Sequence, residues 1–184
     1  MKRVPFRRPA ALLAAAAALI AGSVLSAHAS TASPTDQRAV YAEQARAAGL
    51  SGARAGELQR RVDAVLAQEP RARQISANRL ATAGGTVTVA VPGLPGARDL
   101  ASPDRAVSCA DGHLCIVDGR GYTYDYYRCG YYDFTGVGDG TFNNNQTPGT
   151  RARFYNQNGS ERWSNVAKST GTASWTPVFH IRPC

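Results

Sequence analysis

All four cysteines, Cys109, Cys115, Cys129 and Cys184, lie in the last 77 residues of the chain. An even number in so short a stretch reads as two disulfides, provided that the chain reaches an oxidising compartment. Three pairings are open. Cys109 and Cys115 are near enough in sequence to close a small loop, leaving Cys129 to tie Cys184 and the chain end back to the body. We favour this pairing. Zinc is the competing use of cysteine, but no CxxC occurs and only His113 and His180 follow the N-terminal segment. No metal and no cofactor is expected.

Residues 1–29 supply the route to that compartment. A basic start (Lys2, Arg3, Arg7, Arg8) precedes an apolar run from Ala10 to Leu25 and a small-x-small exit, Ala27-His28-Ala29. This is the pattern of a secretory signal peptide, with a mature start at Ser30. The run is short for a bilayer span and no second one follows, so no membrane partner is expected after cleavage. Cleavage removes four basic residues and no acid, lowering the formal charge from +8 to +4. Much of the basicity therefore belongs to export, and nucleic acid is not an expected partner. The reading is of a secreted, extracellular protein.

Composition changes near residue 107. Residues 30–107 hold one aromatic, Tyr41, and are rich in Ala and Arg, whereas most aromatics follow residue 107. In the first part, residues 30–92 read as a helix–helix–hairpin leader. Thr35–Ala48 holds good helix formers and ends at Gly49, a capping residue. From Ser51 or Gly52 onward, Leu58, Val62, Val65 and Leu66 form one apolar stripe opposite Arg60, Arg61 and Gln68, until Pro70. Gln74–Ala81 and Thr86–Val91 flank Gly84-Gly85 as a hairpin. Residues 93–107, with Pro95 and Gly96, read as a linker. The arginines alternate with acids and read as a solvated helix face. The leader is poor in core material, so it packs on the second part, pairs with another molecule, or is removed, for which Arg71-Ala72-Arg73 offers a trypsin-like cleavage point.

Residues 108–184 read as a small all-β domain held by disulfides. Strands are expected at Leu114–Val117, Tyr122–Cys129, Arg151–Asn156, Arg162–Asn165 and Pro177–Arg182, separated by Gly-, Asn- and Pro-rich turns. Alternation places Tyr122, Tyr124 and Tyr126 on one face, either as core or, with Tyr131, Tyr132 and Trp163, as a platform for sugar rings. Catalytic signals are missing: there is no GxSxG, HExxH or phosphate-binding glycine loop. His113 and His180 read as surface or packing residues. Asp111, Asp118, Asp125, Asp133 and Asp139 sit mostly in turns, and nothing selects a pair of them with Glu161 for glycoside hydrolysis. No enzymatic activity is expected.

Three stretches of this domain resemble a known family. Cys109-Ala-Asp-Gly-His-Leu-Cys115-Ile-Val, followed by an aromatic strand ending Tyr-Tyr-Arg-Cys129-Gly, is similar to the start of the Streptomyces metalloproteinase-inhibitor family. The stretch from Asn143 to Gly159 and the close, Trp175 to Cys184, resemble its second half. The resemblance covers residues 108–184 and implies a βγ-crystallin-like Greek-key sandwich, hence α+β overall with the leader. It also implies a secreted inhibitor of thermolysin-type metalloproteases, with a secreted protease as partner. The calcium-type turn of some relatives finds its nearest match in Asn143-Asn144-Asn145-Gln146-Thr147, but Pro148 stands where Ser is wanted, and calcium is not expected. The inhibitory loop is left unassigned. Cys115-Ile116 is a candidate bond, against the simpler reading of Ile116 as a core residue. The alternative function is a carbohydrate- or cell-wall-binding module, with polysaccharide as partner, or an antagonist toxin on the same fold.

Overall fold

A computed structural model describes residues 34–94, 98–101 and 108–184 of the chain. The expected signal peptide, its cleavage point and most of the linker lie outside the described residues.

Two helices open the described chain, α1 (Pro34–Ala47) and α2 (Gly52–Gln68). Gly49 lies between them at φ 88°, a left-handed conformation that costs glycine little and other residues more. Ser51 is the N-cap of α2, its hydroxyl accepting from the Arg54 amide at 3.4 Å. The α2 stripe buries Ala55, Leu58, Val62 and Val65, while Arg60 and Arg61 pair with Glu57 at the surface. Among the described residues, no helix is long and apolar enough to cross a membrane.

The remainder is antiparallel sheet. The strands are β1 (Arg73–Gln74), β2 (Arg79–Ala81), β3 (Gly85–Thr88), β4 (His113–Val117), β5 (Thr123–Tyr126), β6 (Tyr132–Asp133), β7 (Asp139–Asn145), β8 (Arg151–Tyr155), β9 (Glu161–Val166), β10 (Ser169–Ser174) and β11 (His180–Arg182). Seven form one sheet in the order β1-β2-β3-β5-β4-β7-β10, and four form a second in the order β6-β11-β8-β9. The protein is thus α+β with a sheet-rich second part.

The leader does not stand apart. Its hairpin strand β3 pairs with β5 along Gly85↔Tyr126, Thr86↔Asp125, Val87↔Tyr124 and Thr88↔Thr123. A cross-strand row therefore runs through both compositional regions: Leu80, Val87, Tyr124, Ile116 and Phe142 are opposite one another in turn. All five are buried. The leader lacks core because it shares that of the tyrosine-rich strands.

The second sheet brings its own aromatics to this core. Phe154 on β8 stacks on Trp163 with ring centroids 3.9 Å apart, and Trp163 meets Phe142 of the long sheet at 5.5 Å. Trp175 is fully buried beside Phe134 and Phe154, and its Nε1–H donates to the Val117 carbonyl at 3.0 Å. That donor would otherwise be buried without a partner. Asp118, also buried, accepts from the amides of Arg120, Tyr122 and Val137 and from the Arg120 guanidinium, pinning the turn between β4 and β5.

Several strands differ from expectation, and the expected strand Gln74–Ala81 is two, β1 and β2. The Asn-rich stretch, read as a turn, is β7, paired with β4 and β10 on either side. Its polar residues are satisfied laterally: Asn144 donates to Asn165, and Gln146 donates to Asn144 Oδ1 and the Pro183 carbonyl. This pairing also removes the calcium-type turn considered at Asn143–Thr147, since Asn143–Asn145 are extended backbone in mid-sheet. The Ser/Thr/Gly strand β10 has no apolar alternation and was not expected. Expected strands Tyr122–Cys129 and Pro177–Arg182 are shorter, at Thr123–Tyr126 and His180–Arg182.

Candidate functional site

The disulfides join Cys109 to Cys115 and Cys129 to Cys184. The first holds the exposed turn Ala110–Gly112 against β4. The candidate bond Cys115–Ile116 is no protease substrate: Cys115 is buried, Ile116 is fully so, and both are paired with β5 and β7. Ile116 belongs to the core.

The second disulfide anchors a different kind of segment. After Tyr126 the chain leaves the long sheet and crosses to β6 in the short one through Tyr127, Arg128, Cys129, Gly130 and Tyr131. Tyr127 and Tyr131 are 43% and 45% exposed, among the most exposed large side chains of the domain, and Arg128 and Cys129 are exposed too. Sequence dictates the crossing. The tyrosine alternation that buries Tyr122, Tyr124 and Tyr126 breaks at Tyr126-Tyr127, so the strand cannot continue with one apolar face.

Several contacts fix this connection from beneath. The amides of Tyr127 and Arg128 both donate to the Gly84 carbonyl, at 3.1 and 3.2 Å. The Tyr132 hydroxyl reaches back to donate to the Cys129 carbonyl at 2.9 Å. Gly130 makes room for that reach, because a Cβ there would lie 2.4 Å from the Tyr132 hydroxyl oxygen. At one end the Tyr127 ring meets His113 at 5.2 Å and carries Arg128 over its face at 5.6 Å. At the other, Tyr131 packs on Tyr155 and His180. The result is a short exposed stretch held at both ends and at its middle.

No family model, curated protein or solved structure matches this chain. Function has to be read from the residues themselves.

His113 and His180 are each paired with a carboxylate and lie in different sheets. His113 Nδ1 is 2.6 Å from Asp125 Oδ1, and His180 Nδ1 is 2.9 Å from Asp133 Oδ1. Asp118 is consumed by the β4–β5 turn, and Asp111 pairs with Lys168, which holds its carboxyl below the usual range. Glu161 pairs with Arg153 at the surface. Among the described residues, no group of three His, Cys, Asp or Glu side chains could hold a metal ion. Arg71 and Arg73 are exposed on either side of Ala72 at the start of β1.

The sugar-platform reading of the tyrosine row is corrected by burial. Tyr122, Tyr124 and Tyr126 are 5%, 2% and 6% exposed, and burial raises the Tyr124 and Tyr126 hydroxyls far above the ordinary tyrosine range. Trp163 lies against Phe154. These rings fill the core of a Leu-poor domain and present no flat surface.

The connection 127–131 was not singled out in the sequence, although its signal was present. A cysteine flanked by Tyr-Tyr-Arg and Gly-Tyr-Tyr, bonded to the last residue of the chain, has more aromatic side chains than one buried face can take.

Proposed function

We propose that this chain is a secreted peptidase inhibitor of thermolysin-type metalloproteases, and that residues 127–131 are the element that enters the protease cleft. The observation that carries the reading is the exposed, disulfide-anchored connection with Tyr127, Arg128 and Tyr131 on its outer side. An inhibitor of this kind needs no catalytic group. It needs a substrate-like stretch that loses little freedom on binding, since each side chain immobilised at an interface costs about 0.5–1.5 kcal/mol. Here the ordering cost is met in the folded chain by the disulfide, the two bonds to the Gly84 carbonyl and the Tyr132–Cys129 bond.

Thermolysin-type enzymes take a bulky apolar residue after the scissile bond, which makes Gly130–Tyr131 the bond presented. If that bond were cut, Cys129–Cys184 on one side and the β6–β11 pairing on the other would hold both new ends in place and favour resealing over release. The family resemblance of residues 108–184 points the same way. With it goes the finer reading of the fold, a βγ-crystallin-like Greek-key sandwich for the C-terminal strands. The signal-like N-terminus and two disulfides support secretion.

The test is titration of active thermolysin, with subtilisin and trypsin alongside, by the purified chain and by its Tyr131→Ala variant. The proposal requires 1:1 loss of thermolysin activity and at least about a tenfold weaker inhibition by Tyr131→Ala, as for a buried aromatic anchor. Absence of inhibition at micromolar protein would overturn it.

A further inference from the structure

Next to this connection lies a groove of about 520 Å³ that the inhibitor reading touches only at Tyr131. Its volume falls within the range of about 300–1,000 Å³ of small-molecule sites. One wall is the end of α2 with Glu69 and Arg71, the other is Tyr131, Tyr132 and Asp133, and Tyr126 of the long sheet lies between them. The groove exists because α2 and the short sheet share the core of the long sheet without closing the gap between them.

Tyr126 is the unexplained group. Its side chain is more than nine-tenths buried, yet its hydroxyl makes no hydrogen bond among the described residues. Nor is that oxygen sealed from solvent, because among the described residues the only fully enclosed polar side-chain atom without a partner is Arg79 Nε. Water in the groove can therefore satisfy it in the free protein, and a ligand hydroxyl can take that water's place. The position is no accident of loose packing. The Tyr126 and Tyr132 rings lie near parallel with centroids 6.0 Å apart, and a Cβ on Gly84 would meet both at 2.8–2.9 Å.

The charges around the groove narrow the ligand. Glu69 and Asp133 both line the groove, and two carboxylates disfavour an anion there. Arg71 beside Glu69 offsets one of the two negative charges. The set suits a neutral ligand with hydroxyl donors and acceptors around its rim and an apolar face for the tyrosine rings. Carboxylates take adjacent hydroxyls as two-oxygen acceptors, and Arg71 supplies the complementary donors. We propose that this groove binds a short neutral saccharide, with Tyr126, Glu69 and Asp133 bonding its hydroxyls and Tyr131 and Tyr132 facing its rings. The ligand enters edge-on between two walls, which does not need the flat platform that burial of the tyrosine row removes. The groove shares Tyr131 with the proposed protease-binding connection, whereas Tyr126 and Glu69 belong to the groove alone.

The experiment is calorimetric titration of the full chain with three neutral probes: cellotriose, maltotriose and the β-1,4-linked trimer of N-acetylglucosamine. Glucosamine trimer and a glucuronic acid oligomer serve as cationic and anionic controls. At least one neutral trisaccharide is expected to bind saturably, and more tightly than either charged control. Tyr126→Phe should weaken it about five- to tenfold, the value of one neutral hydrogen bond. The same variant should keep the thermal midpoint and the protease titration of the parent, because the lost hydroxyl has no partner in the protein. Glu69→Gln should weaken binding while leaving the fold intact. No saturable binding of any neutral probe, tighter binding of a charged control, or affinity unchanged in both variants would overturn the proposal.

Discussion

Removing the two disulfides separately should cost unequal amounts, in an order set by loop length. Cys109–Cys115 closes a separation of 6 residues and Cys129–Cys184 one of 55. In the chain-entropy treatment the cross-link restricts the unfolded chain by 2.1 + 1.5R ln n, which gives roughly 2 kcal/mol for the short loop and roughly 4 kcal/mol for the long one. The variants are Cys109→Ser/Cys115→Ser and Cys129→Ser/Cys184→Ser, so that no free thiol remains to exchange. Both pairs lie at the edge of the core, and neither replacement opens a large cavity. Urea unfolding followed by tryptophan fluorescence reads the difference, because Trp175 is fully buried and Trp163 stacks on Phe154. With a urea slope of about 2 kcal/mol/M, the two midpoints should lie about 1 M apart. The long-loop variant should also lose most inhibition, since residues 127–131 are then held only by hydrogen bonds and ring contacts, without a covalent anchor. A short-loop variant that costs as much as the long-loop one would refute the loop-length reasoning.

Three further outcomes follow from particular contacts. Asp118→Asn replaces a buried acceptor of four donors by a group whose amide faces N–H donors, and should cost on the order of 3 kcal/mol in thermal or denaturant unfolding. Gly85→Ala would put a Cβ 1.8 Å from the Asp125 carbonyl oxygen, so β3 must part from β5. The cost should be about 2 kcal/mol or more, with hydrogen-exchange protection lost first along residues 85–88. Glu69→Gln should change the pH dependence of stability. The folded carboxyl has a raised pKa, so the folded state binds more protons and the parent loses stability as pH rises from about 4, the unfolded value, through the folded one. The variant should therefore be the more stable near pH 7, and the gap should close below about pH 4 in pH-dependent unfolding.

The elements legible in the sequence are those that local chemistry decides. Ser51 and Gly49 announce the helix ends, Gly84-Gly85 the hairpin, and alternation the burial of Tyr122, Tyr124 and Tyr126. Illegible were β7 and β10, because their pairing rests on close backbone approach and amide networks rather than apolar period. Gly140 sits where a Cβ would meet the Val117 carbonyl at 2.0 Å, and Gly171 where it would meet the Phe142 ring at 2.9 Å. Such glycines look like turns in a sequence and act as spacers in a sheet. The docking of β3 on β5 was likewise hidden, since a strand edge names no partner. For the same reason the groove could not be read. Its walls come from α2, the β2–β3 turn and β6, which only the fold brings together.

One measurement bears most directly on the inhibitor reading: active thermolysin titrated with the purified, disulfide-intact chain, followed by mass spectrometry of the recovered complex. Stoichiometric 1:1 inhibition is expected, lost on reduction and alkylation, with any nick in the recovered chain between Gly130 and Tyr131. Uninhibited thermolysin, or inhibition accompanied by a nick elsewhere in the chain, would contradict it.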